Sequence, residues 1–171
     1  LNHFADLGGA DGFGVTLSNA DCAFVQFGAS TPDRLDTATP LLRVLAGGQV
    51  DGPKLGIPAQ GGDARFTQRF ALCTRERFHP AEAMRFALEH QNPLQTGIVL
   101  GGRTYPATAF SLLSSSHPDA FIWAVKPADD GSERGIVVRL WNQANAPSAT
   151  EVKFTPLPAA TFETTHLETD L

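Results

Sequence analysis

Long hydrophobic runs are missing from these 171 residues, and so is any block of one charge. No apolar stretch approaches the ~20 residues that a membrane-spanning helix needs. Charged residues make up only 18%, and the net charge of −5 is spread without a basic patch, so there is no electrostatic footprint for nucleic acid or an anionic membrane. The expectation is a soluble chain with neither as a principal partner. Cysteine is scarce. Cys22 and Cys73 stand far apart in strand-like surroundings, so each is expected as a buried free thiol, with a disulfide between them left open. Zinc needs ligands clustered at short separations, which they do not offer. The five histidines, His3, His79, His90, His117 and His166, form no His-x-His or i, i+4 pair, and no metal site is expected in this chain. Methionine and tyrosine occur once each against twelve phenylalanines, which points to an aromatic-filled interior.

What is present is β-rich. Ala120 to Val125 and Ile136 to Trp141 are runs of β-branched and aromatic residues joined by a polar turn from Pro127 to Gly135. In the first run Phe121, Trp123 and Val125 fall on one side and Ile122 and Ala124 on the other. Both faces are therefore expected to be largely covered, as in an inner strand of a sandwich. Arg139, between Val138 and Leu140, should find a partner or snorkel to the edge. Gly12 to Leu17 reads as a half-buried strand, Ser18 to Asp21 as a turn, and Cys22 to Phe27 as the antiparallel partner that returns along it. Further strands are expected at Ala38 to Leu45, with Pro40 near its start, at Phe66 to Leu72, Thr108 to Leu113, Thr150 to Phe154 and Thr161 to Glu168.

Gly47 to Asp63 is glycine- and proline-rich and is expected to be a surface loop. Gly8 to Gly14 does not lead into a helix, so it is a turn rather than a phosphate cradle. One segment changes period. His79 to His90 holds strong helix formers with Pro80 in the first turn, and Asn92 before Pro93 is pushed away from helical geometry, so a short helix should end near His90. Eight or nine short strands and one helix predict an all-β sandwich, taken as a single domain over residues 1–171.

Catalytic constellations are absent from the pattern. Asp129, Asp130 and Glu133 sit in one exposed turn, where nothing would separate their pKa values. Ser114-Ser115-Ser116-His117 lacks the distant third group of a triad. Sugar binding is the more physical possibility. Trp123, among apolar neighbours, is expected in the core. Trp141, at a strand end beside Asn142, Gln143 and Asn145, is expected to be partly exposed, and Trp141 with Asn142 is the candidate carbohydrate contact.

Three stretches, taken together, resemble the C-terminal β region of glycoside hydrolase family 38, the α-mannosidases. The first is Phe4-Ala5-Asp6-Leu7 followed by Gly12 to Cys22. The second is Leu41-Leu42-Arg43 with Asn92-Pro93-Leu94. The third is Ala124-Val125-Lys126 through Gly135 to Trp141. Asn142 stands where that family commonly has glutamate, and Ala46 to Arg65 lacks the family's Pro-Asp and Asp-x-Gly-x-His pattern. The resemblance implies part of a β-supersandwich of the galactose-mutarotase-like kind. It also implies a parent enzyme whose zinc ion and aspartate nucleophile lie in an upstream β/α barrel followed by a helical bundle, and which hydrolyses α-mannosides with retention.

Leu1 in place of methionine, with structured-looking sequence almost at once, adds the expectation of a piece of something longer. Its partners would be the rest of the parent polypeptide, carbohydrate, and a second copy through an unpaired strand edge. The rival expectation is a stand-alone sandwich that binds carbohydrate or a protein through the 47–63 loop.

Overall fold

The computed structural model describes residues 3–21, 24–44, 65, 67–98, 109–165 and 168. The chain divides into two compact units, Leu1–Gly97 and Ile98–Leu171. Among the described residues there are nine strands, every pairing antiparallel, and one α-helix. The all-β expectation holds at that level. The expected 47–63 loop lies outside the described residues, as do Cys22, Phe66, Thr108 and His166.

In the first unit β1 (Phe4–Gly8), β2 (Gly14–Asn19) and β5 (Phe70–Arg75) form a sheet with β2 in the middle. The glycine-rich segment is the turn joining β1 to β2, with Gly9 and Phe13 closing it and Gly12 at φ 89°. The expected hairpin between Gly12–Leu17 and Cys22–Phe27 does not form. β2 is taken instead by β1, through the turn closed by Gly9 and Phe13, and by β5 on its other edge. Ser18 and Asn19, expected in a turn, are buried strand residues. Phe13 precedes the strand and is exposed.

Register places Asp6, Thr16 and Arg75 on one face. The Arg75 fork grips both Asp6 oxygens and donates to the Gly12 carbonyl at 2.9 Å, while the Thr16 hydroxyl donates to Asp6 at 2.6 Å. Ser18 lies on that face too, where α1 (Pro80–Gln91) packs. Pro80 opens the helix, whose first-turn N–H groups need no partner within it, and Asn92 ends it with its backbone N–H on the Leu88 carbonyl. Ala81, Ala83, Met84 and Ala87 are its buried stripe. Small side chains let the helix come close enough for His90 Nδ1 to reach the buried Ser18 Oγ at 3.0 Å. Gln91 Nε2 donates to the carbonyls of His3 (2.7 Å) and Asn19 (2.8 Å).

β3 (Val25–Phe27) pairs with β4 (Leu42–Val44). The loop between them is organised by the buried Asp36. Its carboxylate accepts from the Ala29, Ala38 and Thr39 N–H groups at 2.9, 3.0 and 3.1 Å and from the Thr39 hydroxyl at 2.7 Å. Those donors, the Ala29 N–H foremost, hold its carboxyl well below the usual range. Asp21 is lowered to about 2, chiefly by the Arg69 side chain, which donates from Nη2 at 2.8 Å. Both groups favour the charged form in the fold, so their stabilisation is complete at neutral pH. It is lost as pH falls from the ordinary carboxyl value of about 4 through the depressed folded value. The protection factors of the Ala29, Ala38 and Thr39 amides, corrected for intrinsic exchange, are expected to be high at neutral pH and to fall progressively as pH drops below about 4. Asp36→Asn should exchange quickly at neutral pH, and equal protection in both proteins would show that the charge does not hold the loop.

Cys73, expected to be buried, is an exposed free thiol on β5. It shares the face of Thr16, but β5 is the outer strand, where burial falls away.

The second unit contains β6 (Leu113–Ser115) paired with β9 (Val152–Phe154), and β7 (Ala120–Pro127) paired with β8 (Ile136–Asn142). The β6 strand begins where the expected Thr108–Leu113 strand was to end and runs on through Ser114 and Ser115. The polar turn between β7 and β8 carries a short 3-10 helix, Ser132–Arg134. No strand runs through the described part of the Thr161–Glu168 segment.

Candidate functional site

The β7–β8 hairpin brings together the aromatic and charged groups of the second unit. Ile122 lies opposite Leu140 and Ala124 opposite Arg139, which are consecutive on β8. One residue of β7 therefore has no opposite number, and Trp123 is the extra residue of a β-bulge. The extra residue shifts every side chain beyond it to the other face. Ala124 and Lys126 join Phe121 and Trp123, while Val125 turns to the side of Ile122 and Leu140. The expected grouping of Phe121, Trp123 and Val125 on one side is corrected by this single insertion, which strand alternation cannot foresee.

Phe121 is opposite Trp141, and the Trp123 ring meets that of Trp141 nearly perpendicular, at 87° with centroids 4.5 Å apart. Edge-to-face contact is the arrangement the ring quadrupoles favour. Trp123 retains 38% of its surface and Trp141 41%. The partial exposure expected for Trp141 is found, and the core position expected for Trp123 is not. A two-stranded ribbon cannot bury both of its faces, and Ile136, Leu140 and Val125 on the opposite side are exposed as well.

Asn142 does not converge with Trp141. It pairs with Ala120 on the opposite face, and its amide is used locally: Nδ2 donates to the Ala146 carbonyl at 3.0 Å and Oδ1 accepts from the Ala144 N–H at 2.9 Å. In its place, the face of Trp141 carries Arg139, two residues back along β8, and Lys126 diagonal to it. Arg139 finds the partner that its setting demanded, Glu168, at 3.7 Å. Lys126 pairs with both Asp129 and Glu168, and the Asp129 N–H donates to Glu168 Oε2 at 2.8 Å. These partners, Asp129 before Glu168, raise the Lys126 pKa, and Lys126 lowers that of the largely buried Glu168.

The other candidates take structural roles. Asp130 pairs with Arg134 at the exposed tip. His117 Nδ1 accepts from the Asp119 N–H at 3.2 Å, and Ser115 Oγ meets Thr150 Oγ1 at 2.9 Å, so no triad is assembled. Among the described residues no group of three or more histidine, cysteine or carboxylate side chains could hold a metal ion. No described helix is long and apolar enough to cross a membrane. In the first unit, a hollow of about 270 Å³ is lined by Phe24, Val25, Gln26, Arg43 and Val44, but Arg43 is spent on the Gln26 side chain and the Gly28 carbonyl.

The described residues are thus mostly strands with one short helix, and the second unit carries an exposed aromatic hairpin. No family model, no curated protein and no solved structure matches the chain.

Proposed function

We propose that this chain is the non-catalytic β region of an α-mannosidase-type glycoside hydrolase, forming part of a galactose-mutarotase-like sandwich with the rest of its parent polypeptide. The observation that carries the reading is the β7–β8 hairpin, which belongs to one of the stretches resembling that family. It exposes Leu140, Ile136 and Val125 on one face and Trp123 and Trp141 on the other. Apolar surface on the Leu140, Ile136 and Val125 side of a two-stranded ribbon calls for a further protein layer. In this reading the zinc ion, the aspartate nucleophile and the acid/base carboxyl all belong to the parent's barrel. This chain shapes the substrate cleft and supplies no catalytic residue.

The parent reading frame, expressed with and without these 171 residues, tests the idea against a chromogenic α-mannoside in the presence of zinc. The expected result is hydrolysis with retained configuration by the full protein and loss of soluble activity by the truncated one. A full protein inert on α-mannosides overturns the reading. The isolated chain is expected to self-associate in light scattering, because apolar faces and strand edges recruit copies; a strictly monomeric species over a wide concentration range counts against it.

The Trp123–Trp141 pair favours a second reading, a stand-alone carbohydrate-binding module. A start codon immediately before Leu1 in the coding sequence would support that alternative.

A further inference from the structure

A neutral sugar ring has two kinds of surface. Its C–H faces carry a slight positive charge and lie well on the negative face of an aromatic ring. Its rim of hydroxyls pairs with planar groups such as guanidinium and carboxylate, which can engage two neighbouring oxygens at once. The face of β7–β8 that bears Trp141 presents both. Trp123 and Trp141 meet at right angles, so their planes bound a corner rather than a flat shelf. Arg139 stands on the same face two residues from Trp141, a spacing of roughly 6.7 Å along a strand. The Arg139 side chain is 44% exposed, so a ligand can approach it. Glu168, held by Lys126 and by the Asp129 N–H, lies 3.7 Å from the guanidinium of Arg139 as its ion-pair partner.

We propose that the bulge at Trp123 builds a pyranoside-binding site from Trp123, Trp141 and Arg139, with Glu168 as the positioning residue. The ligand class is a neutral hexopyranoside. The proposal rests on the carbohydrate reading above and goes beyond it. It replaces Asn142 with Arg139 as the polar contact, and it makes Trp123, a residue whose apolar neighbours suggest the core, half of the platform. Without the extra residue, Ala124 and Lys126 would fall on the opposite face from Arg139, and the Lys126–Glu168–Arg139 array could not form.

The chain's two tryptophans are both in the pair, so all of its tryptophan emission reports on this site. The test titrates the 171-residue chain with methyl α-mannopyranoside, an α-linked mannotriose and methyl β-galactopyranoside, following that emission. A saturable change in intensity or wavelength is expected. Trp123→Ala and Trp141→Ala, checked for folding by amide NMR, should each weaken binding about tenfold while the remaining indole still reports. Trp123→Phe should keep most of the affinity, and Arg139→Lys should lose a few-fold because the fork is gone.

A folded chain whose emission does not respond to any of the three sugars overturns the site, as does unchanged affinity in both alanine variants. The failures separate. A parent enzyme that cleaves α-mannosides while the titration stays silent removes the site alone. Saturable binding by the chain, with a parent inert on α-mannosides, keeps the site and removes the mannosidase reading.

Discussion

Asp6→Ala is expected to destabilise the first unit by about 3 kcal/mol. The Asp6 and Arg75 side chains are only 14% and 13% exposed, and the carboxylate takes two donors from Arg75 and one from Thr16. Removing it strands a guanidinium between strands with the Gly12 carbonyl and the Phe78 ring, 4.9 Å from its centroid, as its remaining partners. Breaking one side of a buried pair is more damaging than removing both, since the surviving charge is left uncompensated. The double variant Asp6→Ala/Arg75→Met should therefore recover part of the loss. Hydrogen exchange of the β2 amides under mild denaturant reads the first unit separately from the second. A loss below about 1 kcal/mol in Asp6→Ala would show that water screens the pair.

Gly14→Ala should be nearly as damaging, by about 2–3 kcal/mol, through crowding rather than charge. Gly14 is buried opposite Gly8 and Arg75. A Cβ there would be driven into the Leu7 carbonyl oxygen, with the Gly8 Cα at 2.9 Å and Arg75 Nη2 at 2.8 Å. Two of these are backbone atoms in a paired strand, and they can yield only by parting β1 from β2. Gly97→Ala is the control, since a Cβ there meets nothing within 4 Å, and it should leave stability unchanged or slightly raised. Equal melting of the two variants would show that β1 gives way freely.

Local chemistry was legible where it acts alone. Pro80, the alanines after it and the Asn92-Pro93 step specify α1 with little help from the rest of the chain, and the helix runs Pro80–Gln91. The β7 and β8 runs carry their β-branched and aromatic residues on their face, and the glycines before Gly14 spell a turn. Partnership was less legible. Cys22–Phe27 and Phe4–Leu7 are both plausible mates for β2, and the choice depends on turn geometry and on what occupies the second edge. The candidate site was half legible. Trp141 at a strand end and the need of Arg139 for a partner can be read, but Trp123 reads as core from its apolar neighbours because nothing in the sequence says that the ribbon stops at two strands, and the bulge that moves Val125 to the other face has no composition of its own. Glu168 lies 29 positions after Arg139, and no periodicity links them.

The loop around Asp36 fastens itself. Its base is shut by the Gly28 N–H on the Leu41 carbonyl at 2.7 Å and by Arg43 on the Gly28 carbonyl at 2.6 Å, and its tip by Thr31 and Arg34, each donating to the other's carbonyl. A segment that supplies its own closure is a cassette. Pro32 and Asp33, beyond the last fastening, can be lengthened or exchanged with only the small entropy of a longer loop, about 0.6 kcal/mol for each doubling. A peptide tag spliced there is expected to leave β3 and β4 as they are.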